Sequence, residues 1–427
     1  MPRGSSNRRT PPMNRRPADR QTPRELSVVG HGSRYRVCVI VGTRPEAIKL
    51  APVILELAQH RHAIDTVVVS TAQQRVMLAQ ALDAFGIKPH IDLGVAVANK
   101  HALADFTART MVALSSCYSE TQPDLVLVQG DGSVVLAAAL AAHYLGIPVG
   151  HVEAGLRSGN LRNPFPEELN RRMAAVVADL HFAPTEKARE NLLREGVAEE
   201  RVVVTGNTIV DAIRRTPRKS SFADAHLNDL PWEKRRFVLC TMHRREHLGD
   251  PLRNTCRAIA ELATMHTDTH FLFPVHLNPQ VRSVVHEELA GMPRVELLEP
   301  LGYSDVVEAL RRSEFAMTDS GGIQEECASL GRPVLVLRKS TDRPEVIESG
   351  FGCLVGTETL GIVDHATRLL DDFREIDAMI AGENPFGDGM AAQRIVQTLM
   401  RRAPRRAGAL PASEGPALLP TRRAVER

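Results

Sequence analysis

The feature that most restricts this chain is a unit that recurs along it: a short apolar run, a turn rich in small residues, then a segment with helical spacing. Residues 36–41, 124–128 and 315–317 are such runs. The turns after them read Gly42-Thr43-Arg44-Pro45-Glu46, Gln129-Gly130-Asp131-Gly132-Ser133 and Thr318-Asp319-Ser320-Gly321-Gly322. Unbroken apolar runs alternating with helices are the signature of buried parallel strands. Further runs at 65–70, 147–152, 180–183, 202–204, 237–241, 271–275, 295–298 and 334–337 extend the pattern. A chain of 427 residues exceeds one simple core. The expectation is therefore α/β, two doubly wound Rossmann-like domains facing a cleft.

Charge sets the outer boundaries. Residues 1–36 hold nine Arg against Asp19 and Glu25, and residues 401–427 hold seven Arg against Glu414 and Glu426. The body between them keeps 37 basic and 47 acidic side chains, a net of −10 beneath an overall +2. The ends are rich in Pro, Ser and Ala without apolar periodicity, which predicts disordered tails at 1–35 and 403–427. They lack interleaved aromatics, so no nucleic-acid partner is expected. No apolar run approaches the roughly 18 residues of a membrane span, and the N-terminus has no secretory core. Six scattered cysteines form no CxxC pair and no zinc spacing, which predicts reduced thiols and a cytoplasmic protein. The charged, irregular stretch 214–234 reads as a linker between domains at 36–213 and 235–386.

The turns carry the chemistry. Ser320-Gly321-Gly322 between a strand and a helix aims backbone N–H groups and a helix N-terminus at one point, which suits phosphate. Glu326 follows one helical turn later, where it can accept hydrogen bonds from a ribose diol. The same stretch also fits an ordinary turn with a serine cap. Arg44 and Lys49 sit near the start of the first helix, with surface charge as the plainer alternative. Asp131, Glu153 and Glu167 each fall at or just beyond a strand end, where open α/β sheets bind ligands. Each also has a structural reading, as an N-cap or a first-turn dipole complement. His243 follows another strand, as a phosphate donor or a satisfied backbone partner. The first turn has no GxGxxG, so it is not a dinucleotide fingerprint.

Eight blocks in order resemble the non-hydrolysing UDP-N-acetylglucosamine 2-epimerases. They are Gly42-Thr-Arg-Pro-Glu-Ala-Ile-Lys49, Gly150-His-Val-Glu-Ala-Gly-Leu-Arg157, Gly206-Asn-Thr-Ile-Val-Asp211 and His243-Arg-Arg-Glu246. The others are Pro274-Val-His-Leu-Asn-Pro279, Asp319-Ser-Gly-Gly-Ile-Gln-Glu-Glu326, Arg343-Pro-Glu345 and Asn384-Pro-Phe-Gly-Asp-Gly389. The resemblance implies the GT-B arrangement, with a last helix at 387–402 crossing back to the first domain. It implies UDP binding by Ser320, Gly321, Gly322, Glu326 and Arg343, with His276 nearby. Asp131, Glu153 and Glu167 become the acid/base group, and Arg44, Lys49 and His243 surround the diphosphate and sugar. It also implies a UDP-sugar substrate, a homodimer, and a reaction without metal or redox cofactor that serves cell-envelope polysaccharide. Gly132, Met242, His247 and Ala328 depart from the common family pattern, as do Gln74 and Val76 in a block near a second, activating sugar-nucleotide site. Rival readings are a hydrolysing epimerase, an epimerase of a related UDP-sugar, a glycosyltransferase on the same fold, and a non-catalytic sensor.

Overall fold

A computed structural model describes residues 34–73, 75–95, 103–244 and 247–402; of the tails expected to be disordered, 1–33 and 403–427 lie outside them, whereas Tyr35, placed in the N-terminal tail, begins the first strand by pairing with Ile64. The first domain is a seven-stranded sheet built from β1 (Tyr35–Val41), β2 (Ile64–Ser70), β3 (Ile91–Asp92), β4 (Leu125–Gln129), β5 (Val149–Val152), β6 (Leu180–Ala183) and β7 (Val202–Val204). Its order is β3-β2-β1-β4-β5-β6-β7. The second domain is a six-stranded sheet of β8 (Arg236–Thr241), β9 (Thr269–Pro274), β10 (Val295–Leu298), β11 (Phe315–Thr318), β12 (Val334–Val336) and β13 (Gly352–Leu354), in the order β10-β9-β8-β11-β12-β13. Every pairing is parallel.

Helices α1 (Arg44–Gln59), α2 (Arg75–Asp83), α3 (Leu103–Thr121), α4 (Ser133–Tyr144), α5 (Glu167–Val177), α6 (Glu186–Arg194) and α7 (Thr208–Arg215) connect the first sheet. After a short α8 (Ala225–Asn228), the second sheet carries α9 (Asp250–Met265), α10 (Pro279–Leu289), α11 (Tyr303–Arg312), α12 (Gly321–Leu330), α13 (Pro344–Glu348), α14 (Thr359–Asp371) and α15 (Phe373–Met379). The chain closes on α16 (Ala391–Arg402). Nothing in the motif pattern marks α9, α11 or α14. Only apolar spacing does, as in Leu252, Cys256, Ile259 and Leu262 of α9, all buried.

Two positions in this architecture matter for function. Strand order reverses between β1 and β4 in the first sheet and between β8 and β11 in the second. Chains leaving the carboxyl ends of such neighbours run to opposite faces and open a crevice. The turns holding Arg44, Asp131, His243 and Ser320 leave those four strands. Local chemistry starts the helices there. Thr43 caps α1 in extended conformation, and the buried Glu46 carboxylate accepts from the N–H groups of Gly42 (2.6 Å) and Thr43 (3.1 Å). Helix α4 lies between α3 and α5 with Ala137, Ala138, Ala139, Ala141 and Ala142 buried, because larger side chains would not fit that sandwich.

The charged stretch after α7 is less loose than its composition suggests. Trp232 stacks between Phe222 (5.1 Å) and Phe237 (4.1 Å), and the Arg312 guanidinium lies over both Phe222 and Trp232. Five of the six cysteines are buried, Cys353 is half-buried, and none is bridged.

The last helix does cross back, packing on α1 and α7. Asp211 of α7 caps it from outside: its carboxylate accepts from the first N–H groups of α16, Ala391 (3.2 Å) and Ala392 (3.0 Å). The Asn207 N–H donates to Phe386 O at 2.9 Å, and Arg394 donates to Thr205 O at 3.0 Å. Replacing Asp211 by Ala should remove both capping bonds and cost about 1–2 kcal/mol. Urea unfolding should show the loss, with faster amide exchange at Ala391 and Ala392; unchanged exchange there would mean that side-chain packing alone holds α16.

Candidate active site

The second domain supplies a cradle. Ser320 caps α12 in extended backbone without using its hydroxyl as a cap, so the cap reading of this serine is not the one its side chain follows. Its N–H donates to Thr318 Oγ1 at 2.9 Å. Gly321 and Gly322 are the first helical residues, and a Cβ on Gly322 would meet nothing nearer than Ser320 Oγ at 3.8 Å. A Cβ on Gly321 would instead meet the Arg343 guanidinium at 3.4 Å, so this helix start and a buried cation lie side by side, a combination that suits an anion. One turn on, Glu326 is buried with Oε2 unpartnered. Burial lifts its carboxyl from an ordinary 4.5 to about 7, against the pull of Arg44 and with the push of Glu325. Arg44 comes from α1 of the first domain and donates to Leu301 O of the second at 3.2 Å.

Beside the cradle, Asp319 is fully buried and organises the loop after β8. Its carboxylate accepts from the N–H groups of His243 (3.2 Å) and Arg244 (3.0 Å), and lies 3.3 Å from His243 Nδ1 and 3.1 Å from His247 Nδ1. Burial opposes its ionisation, but these donors and the nearby imidazoles outweigh that and hold it below its ordinary value. His276 stacks on His243 with centroids 5.9 Å apart, and burial lowers its pKa.

The first domain supplies the acids. Asp131 follows Gly130, whose φ of +82° is the left-handed turn that glycine permits. His151 lies beneath, hydrogen-bonded to Gly130 O at 2.7 Å, and burial depresses it to about 4. Glu167 opens α5, and burial with the charge of Asp131 raises its pKa. Glu153 leaves β5 with φ +65°, an unusual conformation for a residue with a Cβ. Strain of this kind persists where surrounding contacts over-determine it and clusters at functional sites. Here the determinants are Lys49, ion-paired to Glu153 Oε2, and Asn207, whose amide donates to the same oxygen at 3.4 Å.

Lys49 also reaches Glu325 Oε2 of the second domain at 2.6 Å. Glu325 Oε1 accepts from Arg343 Nε at 2.7 Å, and Arg343 Nη2 stands 3.9 Å from Glu153 Oε1. Arg343 Nη1 pairs with Asp342 at 2.5 Å, Arg338 holds the other oxygen of Asp342 at 3.0 Å, and Arg171 bridges Asp342 (3.7 Å) to Asp131. The result is one charge network running across the cleft. Burial alone would lower Lys49, but Glu153 and Glu325 hold it above its ordinary value. Glu325 is pulled down against its burial by Lys49 and Arg343, whereas burial and the neighbouring Glu325 charge push Glu153 up.

All twelve site residues expected from sequence thus stand along this cleft. Lys49, Glu153, Glu326 and Arg343 gather in its buried part with the half-buried Arg44; Asp131 and Glu167 lie beside Arg171, and His243 and His276 on its more exposed wall. Over residues 56–400 the chain matches the model of the family described as UDP-N-acetylglucosamine 2-epimerase. This chain belongs to the UDP-N-acetylglucosamine 2-epimerase family. The UDP-N-acetylglucosamine 2-epimerase of Bacillus subtilis is 46% identical over 367 residues, which cover 86% of this chain and 95% of that protein. That of Escherichia coli is 44% identical over 370 residues, 85% of this chain and 98% of that protein. The crystal structure of the Neisseria meningitidis UDP-GlcNAc 2-epimerase bound to UDP-GlcNAc superposes with a TM-score of 0.82 at 42% identity. It covers 86% of this chain and 100% of that one.

Within this epimerase family, an isomerase family, the departures find places. A Cβ at Gly132 would lie 2.9 Å from Glu46 Oε1. Met242 and Ala328 are buried, His247 serves Asp319, Val76 is exposed, and Gln74 lies outside the described residues. The charge network also includes Arg171, Glu325, Arg338 and Asp342, which no strand-end position singles out; their closeness in sequence to Glu167, Glu326 and Arg343 is the one signal the chain offers for them.

The raised Glu326 has a consequence for stability. The native protein keeps this proton while the unfolded chain releases it, so the group costs stability increasingly as pH rises from 4.5 to about 7, and fully above. Glu326→Gln should flatten the fall in urea midpoint across that interval. Glu46, raised to about 7 by burial, leaves a residual slope of the same sign. An unchanged slope in the variant would show that Glu326 does not titrate there.

Proposed function

We propose that this chain interconverts UDP-N-acetylglucosamine and UDP-N-acetylmannosamine by elimination and re-addition of UDP. One observation carries the reading: across a single cleft, carboxyl groups on strand ends of the first domain share a charge network with a bare-glycine helix N-terminus of the second. A diphosphate takes the N–H groups at Gly321 and Gly322, and the ribose donates to the unpartnered Glu326 oxygen. Arg44, Lys49 and Arg343 offset charge on the departing nucleotide.

The reaction then balances as follows. A carboxylate removes the C2 proton, the C1–O bond to UDP breaks with its electron pair, and a C1–C2 double bond forms. UDP returns to C1 while a second acid delivers a proton to the opposite face of C2. The scheme consumes no water and needs neither metal nor nicotinamide. Burial shifts both Glu153 and Glu167 upward from the ordinary carboxyl value, the direction that favours a group passing a proton to or from C2. Asp319 positions His243, accepting from its backbone N–H and lying 3.3 Å from Nδ1, so that the ring can donate to a diphosphate oxygen.

In this reading residues 36–213 supply the acids, 214–234 link, 235–386 hold UDP, and 387–402 tie the domains. A cytoplasmic homodimer feeding cell-envelope polysaccharide accords with the family resemblance. The exposed apolar stripe of Leu169, Met173 and Val176 on α5 is a surface that suits a second copy.

In D₂O, the wild-type protein should place deuterium at C2 of the product sugar nucleotide without added metal or NAD. Asp131→Asn, Glu153→Gln and Glu167→Gln should each slow exchange by ~10²–10⁴-fold, the usual loss for a general acid or base. Mass spectrometry of the products decides: retained C2 hydrogen excludes the scheme, and stoichiometric free N-acetylmannosamine with UDP would identify a hydrolysing enzyme instead. Separately, Gly322→Val should weaken UDP binding at least about tenfold by blocking diphosphate approach, while the ligand-free thermal midpoint stays within a few degrees. Unchanged binding by calorimetry would move the nucleotide elsewhere.

A further inference from the structure

The acids proposed for proton transfer belong to one domain and the nucleotide cradle to the other, so chemistry must wait until both are in register. Arg171 is placed to enforce that. It lies on α5 four residues after Glu167, and its side chain is only 3% exposed. One nitrogen, Nη2, pairs with Asp131 Oδ2 and also stands 3.7 Å from Asp342 Oδ2 of the second domain. The other terminal nitrogen, Nη1, is 3.5 Å from Glu168 Oε2. Neither Nε nor Nη1 makes a hydrogen bond. The guanidinium is therefore buried but held mainly by carboxylates at three sides, one of which arrives only with the second domain.

Asp342 is well anchored for this task. Arg343 Nη1 holds it at 2.5 Å and Arg338 Nη1 at 3.0 Å, with Arg244 Nη2 at 4.0 Å. These cations keep its carboxyl far below the ordinary range against its burial. Asp131 has other charged neighbours: Glu46 of α1, Glu167 of α5, His151 of β5 and Arg343. Among these groups Arg171 is the cation that touches Asp131 directly and also reaches across the cleft.

We propose that Arg171 is a positioning residue that makes the orientation of Asp131 conditional on closure of the two domains, through Asp342. The proposal rests on the acid/base reading of Asp131. With the cleft open, the guanidinium keeps Asp131 and Glu168 and can tilt between them. With the cleft closed, Asp342 adds a second carboxylate at Nη2, the nitrogen that holds Asp131, while Nη1 on the same rigid plane faces Glu168, so the position of Asp131 follows that of Asp342. A lysine keeps the charge but loses the arm that faces Glu168, and its flexible stem leaves the nitrogen between the two aspartates unfixed.

The test uses the full chain with Arg171→Lys, Arg171→Met, Asp342→Asn and the Arg171→Met/Asp342→Asn double variant. C2 exchange in D₂O gives kcat and KM, and small-angle scattering with and without UDP gives nucleotide-induced compaction. Arg171→Lys should keep the wild-type thermal midpoint and UDP affinity within about threefold, yet lose about 10²-fold in kcat, the scale of a small misplacement in an active site. Guanidinium ion should partly restore exchange in Arg171→Met, and the double variant should lose little more than Arg171→Met alone. Wild-type kcat in Arg171→Lys, or additive losses in the double variant, would overturn the proposal and leave Arg171 a structural ion pair. If Asp131→Asn exchanges at the wild-type rate, the acid/base reading has failed instead. The scattering arm still stands then: compaction by UDP should weaken in Arg171→Met, and unaltered compaction would refute the link through Asp342.

Discussion

Lys49 sits where two domains meet, between Glu153 at the end of β5 and Glu325 in α12, and much of the molecule depends on that contact. An ammonium taken out of water at this depth is costly unless its partners stay in place. Those partners have their own conditions. Glu325 needs Arg343, Arg343 needs Asp342, and Asp342 needs Arg338 and Arg171. Four cations (Lys49, Arg171, Arg338 and Arg343) thus interleave with four carboxylates (Asp131, Glu153, Glu325 and Asp342), so that no charge is buried alone. Such a network adds less to net stability than its contacts suggest, because desolvation opposes each pair. Its larger effect is on register, since each domain presents an incomplete set of charges without the other.

The rest of the architecture brings those incomplete sets together. Parallel sheets with reversed strand order open a crevice at their carboxyl ends, and here two such crevices face each other. Helix α16 returns to the first domain on the Asp211 cap and the contacts of Asn207 and Arg394. Asn207 has a second duty, because its amide also steadies the strained Glu153. The residue that helps hold the crossover therefore also helps hold an acid of the site. Thr185 donates to Glu345 at 2.8 Å and Lys187 pairs with Glu348 at 2.5 Å, so a second seam joins α6 to α13.

Burial does opposite things to the acids of this cleft according to their company. Asp319 and Glu325 are surrounded by donors and cations and stay ionised, as scaffolds for His243 and Lys49. Glu153, Glu167 and Glu326 are pushed up, because their burial is less fully answered by cations. Environments that separate otherwise equal carboxyl groups are what divide acid, base and binding roles in active sites. Glu326 illustrates the cost: a buried oxygen without a partner destabilises the empty protein and leaves an acceptor available to a ligand hydroxyl.

The alternation of apolar runs and small-residue turns determined, by itself, the fold class, most strands of both sheets and the strand-end positions of Arg44, Asp131, Glu153, His243 and Ser320. Those features are local, because strand burial, capping at Thr43 and a Gly-Gly helix start depend on residues within a few positions of one another. The tertiary structure alone decided who pairs with whom. Lys49, legible as a cation near a phosphate, is held by Glu153 and Glu325 from two different domains. Arg171 and Asp342 occupy no strand end or glycine turn, yet they join the turn that holds Asp131 to the second domain. The aromatic stack of Phe222, Trp232 and Phe237 likewise ordered a stretch whose composition reads as a linker. Ion-pair and stacking partners lie far apart in the chain and are chosen by how two sheets pack, and hydrophobic periodicity records burial of a face without recording what lies against it.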